Sequence, residues 1–218
     1  MAIKGELPKP DVAVFADTGW ENPDTYNHLA WLREMAESAG IPLLTVSKGN
    51  VRDDILNAAE TGCRFASIPA YTLLKGSLGR LKRQCTEEYK ITPIKQEIRH
   101  FLGVRPHDKL PSEAVDLWVG ISLDEYKRIS RFTRNPKWLS ASFPLTTIKP
   151  MNRNECIAWL KKNYPNRLVP RSACLGCPFK CDNEWRLVKQ NNGSWKDVVE
   201  VDNKIRHTKG FIKSDELY

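Results

Sequence analysis

The feature that most constrains the fold is a strand–helix–strand pattern over residues 11–46. The apolar run Asp11-Val12-Ala13-Val14-Phe15-Ala16 ends at the turn-forming Asp17-Thr18-Gly19 and predicts a buried strand. Asn22-Pro23-Asp24 predicts the start of a helix that ends at Gly40, and 41–46 predicts a second strand. Such a unit requires parallel strands joined by a crossover helix. We therefore expect an α/β fold with a parallel sheet and helices on both faces.

Later segments extend this interpretation to the rest of the chain. A turn-rich, basic stretch at 64–84 indicates a surface loop, and 171–180 forms a cysteine-rich loop. A third strand is predicted at 115–122, from Val115 to Ser122. Further helices are predicted at 51–61, 92–101, 152–162, 182–190 and 195–207. We expect a domain at 1–150 followed by a helical segment at 151–218.

The net charge bears on the partners. The 218 residues carry a formal charge of +8, which favours nucleic acids or phosphorylated small molecules. No apolar run reaches the roughly 18 residues that cross a bilayer. The N-terminal residues lack the apolar core of a signal peptide, so we expect a cytoplasmic protein without a membrane partner.

Cysteines supply the strongest chemical signal. Cys174-Leu175-Gly176-Cys177-Pro178 is a C-x-x-C knuckle, in which two intervening residues let both thiolates face one metal centre. A redox dithiol, a zinc half-site and a cluster half-site share this spacing. Further ligands are available at Cys181 and at Cys85, whose basic neighbours favour a thiolate. Cys63 and Cys156 lie in partly apolar helical contexts and are predicted core residues.

Several segments, taken in order, resemble the phosphoadenosine phosphosulfate (PAPS) reductase family. The knuckle falls where the cluster-bearing, DndC-like members of that family carry their C-x-x-C. The resemblance covers roughly residues 11–190. The other matching segments are 15–26 (FADTGWENPDTY), 85–94 (CTEEYKITPI), 120–128 (GISLDEYKR) and 143–160 with its Pro-Leu and Trp-Leu pairs.

This resemblance implies a Rossmann-like fold of the adenine nucleotide alpha-hydrolase superfamily. It also implies a [4Fe–4S] cluster and a bound adenine nucleotide such as ATP. Asp17 and Cys85 are the implied catalytic residues, and Cys85, Cys174, Cys177 and Cys181 the implied metal ligands. The implied nucleotide-binding residues are Asp17, Thr18, Gly19, Lys90, Gly120 and Arg128.

Two departures from the family pattern affect the expected function. No Ser-Gly-Gly phosphate loop lies upstream of Asp17, so the first strand of the family is expected to be missing. The edge it leaves would favour a homodimer or a partner subunit. The tail, residues 211–218, has no cysteine, whereas reductases carry a catalytic one there.

Three functions remain open at this stage. The first is ATP-dependent transfer of sulfur from a donor protein to a nucleic acid, tRNA or DNA, with phosphates bound by Lys75, Arg80, Lys82 and Arg83. The second is reduction of a sulfonucleotide, PAPS or its unphosphorylated analogue, bound by Arg128 or Lys90. The third is a non-enzymatic zinc module that binds nucleic acid or a protein through a site with four cysteine ligands.

Overall fold

The computed structural model describes residues 1–62, 68–74, 77–206 and 216–217. The strands are β1 (Ala13–Asp17), β2 (Leu43–Ser47), β3 (Tyr71–Leu74), β4 (Ser77–Arg80), β5 (Val115–Trp118), β6 (Leu139–Ser142) and β7 (Glu216–Leu217). The α-helices are α1 (Pro23–Ser38), α2 (Val51–Thr61), α3 (Thr92–Phe101), α4 (Pro144–Thr147), α5 (Arg153–Asn163), α6 (Asp182–Gln190) and α7 (Asn192–Arg206). A π-helical turn, Glu87–Ile91, and two 3₁₀ segments, Ala2–Lys4 and Leu123–Arg134, complete the set.

The predicted strand–helix–strand unit is confirmed. β1 and β2 pair in parallel, in register from Ala13 opposite Leu43 to Asp17 opposite Ser47. Helix α1 connects them and begins where predicted, because Asn22 accepts a hydrogen bond from the amide of Asp24 and Pro23 occupies the first turn. β1 therefore ends at Asp17, with the loop 18–22 at its carboxyl end.

A second parallel pair lies further along the chain. β5 pairs with β6 from Val115 opposite Leu139 to Trp118 opposite Ser142. The predicted strand at 115–122 is too long, because the chain turns at 119–122 into the 3₁₀ segment that crosses over to β6. Sequence reasoning missed β6, whose Leu-Ser-Ala-Ser sequence has little apolar character. Within the described strands these two sheets are not hydrogen-bonded to each other. The chain is a mixed α/β protein with short parallel sheets.

The interpretation of 64–84 as a loop is wrong for its described part. β3 and β4 form an antiparallel hairpin, and β7 adds a third strand on the other side of β3. All four residues of β4 are exposed, so the strand lacks the apolar alternation by which a strand is recognised. Gly79 fits because a Cβ there would lie 2.6 Å from the Oγ1 of Thr72 on the paired strand.

The main hydrophobic core lies between α2, α6 and α7. Helix α2 runs from its Asn50 cap to Gly62, as predicted, and Val51 and Ile55 are fully buried. Leu175 of the cysteine knuckle belongs to the same core, so the knuckle is anchored by packing and not only by its turn. The buried members are Trp20, Val51, Ile55, Ile68, Ala70, Tyr89, Leu175, Val188, Val201 and Ile205.

Helix α5 connects the C-terminal part to the N-terminal residues. Asn152 and Glu155 form a reciprocal capping box at its predicted start. Trp159 on this helix donates its indole N–H to the carboxylate of Glu6 at 2.9 Å, and Lys149 pairs with the same carboxylate. The contact between Trp159 and Glu6 crosses the boundary expected at residue 150, and the division into two domains stays a prediction. No helix in the described ranges is long and apolar enough to cross a membrane.

Candidate cysteine-centred site

The loop after β1 is fixed by the carboxylate of Asp17. Its Oδ1 accepts hydrogen bonds from the amide of Gly19 at 2.8 Å and from the hydroxyl of Tyr26 at 2.9 Å. Burial and this bond to Asp17 raise the pKa of Tyr26 to about 12. Gly19 has a φ of +73°, and a Cβ there would lie 2.8 Å from the Cα of Asn50. One oxygen of the predicted catalytic Asp17 is thus committed to holding the loop.

The same loop is joined to the cysteine knuckle. Glu21 and Cys174 form an antiparallel β-bridge, and the amide of Leu175 donates to the carbonyl of Trp20 at 2.7 Å. Gly176 lies directly against the indole, because a Cβ at this position would be 2.2 Å from Cη2 of Trp20. The knuckle and the end of β1 therefore form one local unit, although they are far apart in the chain.

Helix α7 contacts this unit through Asp197. Asp197 accepts hydrogen bonds from the indole N–H of Trp20 and from the Nε of Arg52, each at 2.5 Å. Arg52 also contacts Glu200 at 2.9 Å. Hydrogen bonds from two N–H donors to one carboxylate fix the orientation of the donor side chains, here Trp20 and Arg52. The indole that packs on Gly176 is consequently held in place from both α2 and α7.

A buried carboxylate lies at the centre of the site. Glu21 is only 3% exposed, and its Oε1 accepts hydrogen bonds from Thr18 at 3.0 Å and from the Nζ of Lys90 at 3.1 Å. The Sγ of Cys174 lies 4.0 Å from the same oxygen. The other oxygen, Oε2, is buried with no hydrogen-bond partner. Sequence reasoning missed Glu21, which followed the turn as an ordinary polar residue and carried no signal of burial.

The surroundings of Cys174 favour the thiol over the thiolate. Burial, followed by the charge of Glu21, raises its pKa to about 11. The hydroxyl of Thr18, 3.3 Å from the sulfur, and the charge of Lys90 act in the opposite direction. Cys85 adds to the upward shift, so this predicted ligand lies within electrostatic range of Cys174. Both Cys85 and Cys174 pack against the main hydrophobic core.

Cys177 lies within electrostatic range of Lys180. Burial lowers the pKa of Lys180, while the negative potential of Cys177, Cys174 and Glu21 acts to raise it. The turn is tight, since the amide of Cys177 donates to the carbonyl of Cys174 at 3.1 Å. The tight turn thus keeps Cys177 next to Cys174, and a metal site shared with Cys85 stays a prediction.

Cys181 has a different role from its three predicted partners. It is exposed and caps α6, where its sulfur accepts a hydrogen bond from the amide of Glu184. Its own amide donates to the carboxylate of Glu184 at 2.8 Å. Cys156 is half-buried on α5, where burial raises its pKa, and Cys63 lies outside the described residues.

The cysteines can be tested for their fit to a metal. Across the described ranges, no three Cys, His, Asp or Glu side chains are placed closely enough to hold a single metal ion. Cys85 and Cys174 pack against the same hydrophobic core, and Cys177 is joined to Cys174 by the tight turn. A cluster attaches each cysteine to a different iron and so spaces its ligands more widely than a single zinc ion does.

The π-helical turn positions Lys90. It follows directly after Cys85 and contains the buried Tyr89, whose hydroxyl donates to Asp54. π-Helical turns of this kind are frequent at functional sites because they change the direction of the following side chains. Here the turn points Lys90 to Glu21, and the role of Lys90 in nucleotide binding stays a prediction.

Of the other predicted nucleotide-binding residues, Thr18 belongs to this network, whereas Gly120 and Arg128 lie elsewhere. Thr18 is fully buried and is occupied by Glu21 and Cys174. Gly120 follows β5, is exposed, and has open space where a Cβ would be. Arg128 is exposed and pairs with Glu125 of its own turn at 2.7 Å.

The predicted phosphate-binding residues divide into two groups. Arg80 and Arg83 place their guanidinium groups over the ring of Phe179, at 5.2 and 5.8 Å from its centroid. Phe179 lies two residues after Cys177, so both arginines are next to the knuckle. Lys82 is exposed between them, and Lys75 lies outside the described residues.

An apolar cavity of about 280 Å³ lies next to the knuckle. Trp20, Gly176 and Pro178 form one wall, and Trp185, Trp195 and Ile205 line the remainder. Residues 63–67 and 207–215, which flank the lining segments in sequence, lie outside the described ranges. We assign no ligand to this cavity.

Comparison with known proteins does not identify the chain. No protein family, curated protein or solved structure matches it.

Proposed function

We propose that the protein is a PAPS reductase-like iron–sulfur enzyme that transfers sulfur to a nucleic acid with ATP. In this proposal the two parallel strand pairs belong to a Rossmann-like fold of the adenine nucleotide alpha-hydrolase type. The main support for this proposal is that the loop after β1 contacts the cysteine knuckle. The contacts are the Glu21–Cys174 β-bridge and the approach of Thr18 to Cys174 at 3.3 Å. Ligands of open α/β sheets bind at such carboxyl ends of strands.

Cys85, Cys174 and Cys177 would hold a [4Fe–4S] cluster. When bound, the cluster would supply an iron without a cysteine ligand, at which a sulfur atom could bind. The capping role of Cys181 favours three ligands over the four of a closed zinc site. Lys90 and Lys180 would offset the negative charge of the thiolates, since both lie within the same network.

The remaining residues would bind the activating nucleotide and the acceptor. Asp17 and Gly19 at the end of β1, and Gly120 at the end of β5, would line the nucleotide side. Arg80 and Arg83 would hold the phosphates of the acceptor beside the knuckle. ATP would adenylate an acceptor oxygen with loss of pyrophosphate. A sulfide-level sulfur would then displace AMP, which leaves with that oxygen, so that no net oxidation occurs.

Metal analysis after anaerobic purification tests the centre. We expect about four iron and four sulfide per chain and a broad absorbance near 400 nm. Cys85→Ser and Cys174→Ser should lose both iron and sulfide, whereas Cys156→Ser, on α5, should retain them. One zinc per chain without sulfide would overturn the proposal and leave the zinc module.

An acceptor assay tests the chemistry. The iron-loaded protein is incubated with ATP, a sulfide donor and total tRNA or DNA, and sulfur in the nucleic acid is measured by mass spectrometry. We expect incorporation that depends on ATP and is lost in Cys174→Ser. Reduction of a sulfonucleotide, with no sulfur in either nucleic acid, would replace this function by the reductase.

A further inference from the structure

We propose that Phe179, together with Arg80 and Arg83, forms a stacking surface for an unpaired base of single-stranded nucleic acid. This inference rests on the proposed function, which supplies nucleic acid as the partner. It adds the form of the nucleic acid and the residue that contacts a base. We call Arg80, Arg83 and Phe179 the stacking surface.

The first support is the geometry around Phe179. Its ring is partly exposed, and the guanidinium carbons of Arg80 and Arg83 lie 5.2 and 5.8 Å from the ring centroid. Both distances are within cation–π range. A partly exposed aromatic ring with two guanidinium groups over it presents flat π-surfaces and positive charge together. Proteins combine these features to bind bases and the phosphates beside them.

The second support is the absence of compensating charge. Some of the other arginines pair with carboxylates, as Arg52 does with Asp197 and Arg171 with Glu184 at 2.6 Å. In the part of the chain that the structure describes, no carboxylate pairs with Arg80 or Arg83. Their positive charge is therefore available to phosphates.

The third support comes from strand β4 itself. Leu78 and Arg80 are two residues apart and so lie on one face of the strand. Leu78 is 78% exposed and so presents an apolar side chain to solvent beside Arg80. An apolar side chain beside an arginine suits a nucleotide, whose sugar and base edge are partly apolar and whose phosphate is charged.

Stacking on Phe179 requires a base with one free face, and this favours single-stranded nucleic acid. In a duplex both faces of each base are covered by neighbouring bases, so a protein ring can reach only an unpaired or end base. Phe179 follows Cys177 and Pro178 directly, and Lys180 after it belongs to the buried network. A base stacked on Phe179 would thus lie next to the cysteine centre.

Binding of labelled oligonucleotides tests the stacking surface. The probes are single-stranded RNA and DNA of about 12 nucleotides, within the usual site size, and a duplex of the same sequence. We expect tighter binding of a single-stranded probe than of the duplex. Phe179→Leu should weaken single-stranded binding on the order of tenfold, as loss of one stacked base does. Phe101→Leu, which removes a 46% exposed ring at the end of α3, should bind as the unmodified protein does.

The arginines are tested by salt dependence. Arg80→Gln and Arg83→Gln should each reduce the slope of log affinity against log salt by about 0.7, the value for one phosphate on a single strand. Arg105→Gln, whose guanidinium already pairs with Asp108 at 3.4 Å, is the matched control and should leave the slope unchanged. Equal affinity for duplex and single strands would overturn the inference. Full affinity in a folded Phe179→Leu protein would do so as well.

The outcome is separable from that of the proposed function. If the purified protein lacks iron and sulfide but Phe179→Leu loses single-stranded binding, the stacking surface stands and the sulfur-transfer function fails. If the cluster and ATP-dependent sulfur incorporation are present while Phe179→Leu binds normally, the reverse holds.

Discussion

The Nζ of Lys90 lies 3.1 Å from the Oε1 of Glu21, whose side chain is completely buried. Lys90 itself is about one quarter exposed, so the ion pair is shielded on the carboxylate side and partly open on the other. A carboxylate without solvent needs a positive partner or a proton. Lys90 is thus the residue that makes a charged Glu21 possible beside Cys174.

Replacement of Lys90 by Met should destabilise the protein. Glu21 would remain buried with only the hydroxyl of Thr18 as a strong donor, and removal of one partner from such a pair costs about 3–5 kcal/mol. The free energy of unfolding, measured by chemical denaturation, reports this loss. In the double variant with Glu21→Gln, much of the loss should be recovered because no unpaired charge remains.

A surface lysine provides the control for this experiment. Lys48 pairs with Glu88 at 3.5 Å and is about half exposed. Lys48→Met should cost no more than about 1 kcal/mol, since exposed pairs contribute little. If Lys48→Met and Lys90→Met were equally destabilising, the buried pair would have no special role.

Gly176→Ala should disrupt the knuckle. The added Cβ would lie 2.2 Å from Cη2 of Trp20, and the indole is held by its bond to Asp197, so the backbone must shift. Overpacking of this kind costs about 1–3 kcal/mol. Gly120→Ala is the matched control, because nothing lies within 4 Å of its Cβ position, and its effect should stay within about 0.5 kcal/mol. Thermal unfolding of the two variants gives the comparison.

Acidification should weaken the packing of α1 through His28. Burial, and then the charge of Arg167, lower the pKa of His28 below 6.5, and its Nδ1 is buried without a partner. The unfolded chain therefore binds the proton more readily than the folded one. Stability should fall as the pH drops from about 6.5 through the lower pKa of the folded state.

Substitution identifies the source of this pH dependence. His28→Gln should flatten the pH dependence of the unfolding free energy in that range, whereas His107→Gln, at an exposed position, should not. An unchanged slope in His28→Gln would assign the effect to other groups.

Local sequence signals predicted most of the helices. Asn22, Asn50 and Asn152 each accept a backbone hydrogen bond at the start of a helix, and these caps are readable because they depend on neighbouring residues alone. Strand β6 was missed because its pairing with β5, rather than its own composition, makes it a strand.

The candidate site could be predicted only in part. Its cysteines stood out by type and spacing, but the burial of Glu21 depends on a bridge to Cys174 and an ion pair with Lys90, both distant in the chain. No local pattern encodes such contacts. Cys181 has the same residue type as the other candidate ligands, and the predicted helix at 182–190 already placed it at a helix start, where the fold confirms it.

Thiol alkylation should separate Cys174 from Cys181 in the metal-free protein. The thiolate is the reactive form, and a pKa of about 11 leaves Cys174 almost entirely protonated at neutral pH and buried as well. Cys181 is exposed at the start of α6, so iodoacetamide should modify it first and Cys174 last. Mass spectrometry of digested samples follows each site over time. The rate at Cys174 should rise about tenfold per pH unit between about pH 7 and 9, because the thiolate fraction does. Cys181→Ser should remove the fast phase and leave the slow one, and equal rates at the two sites in the folded protein would contradict the buried environment of Cys174.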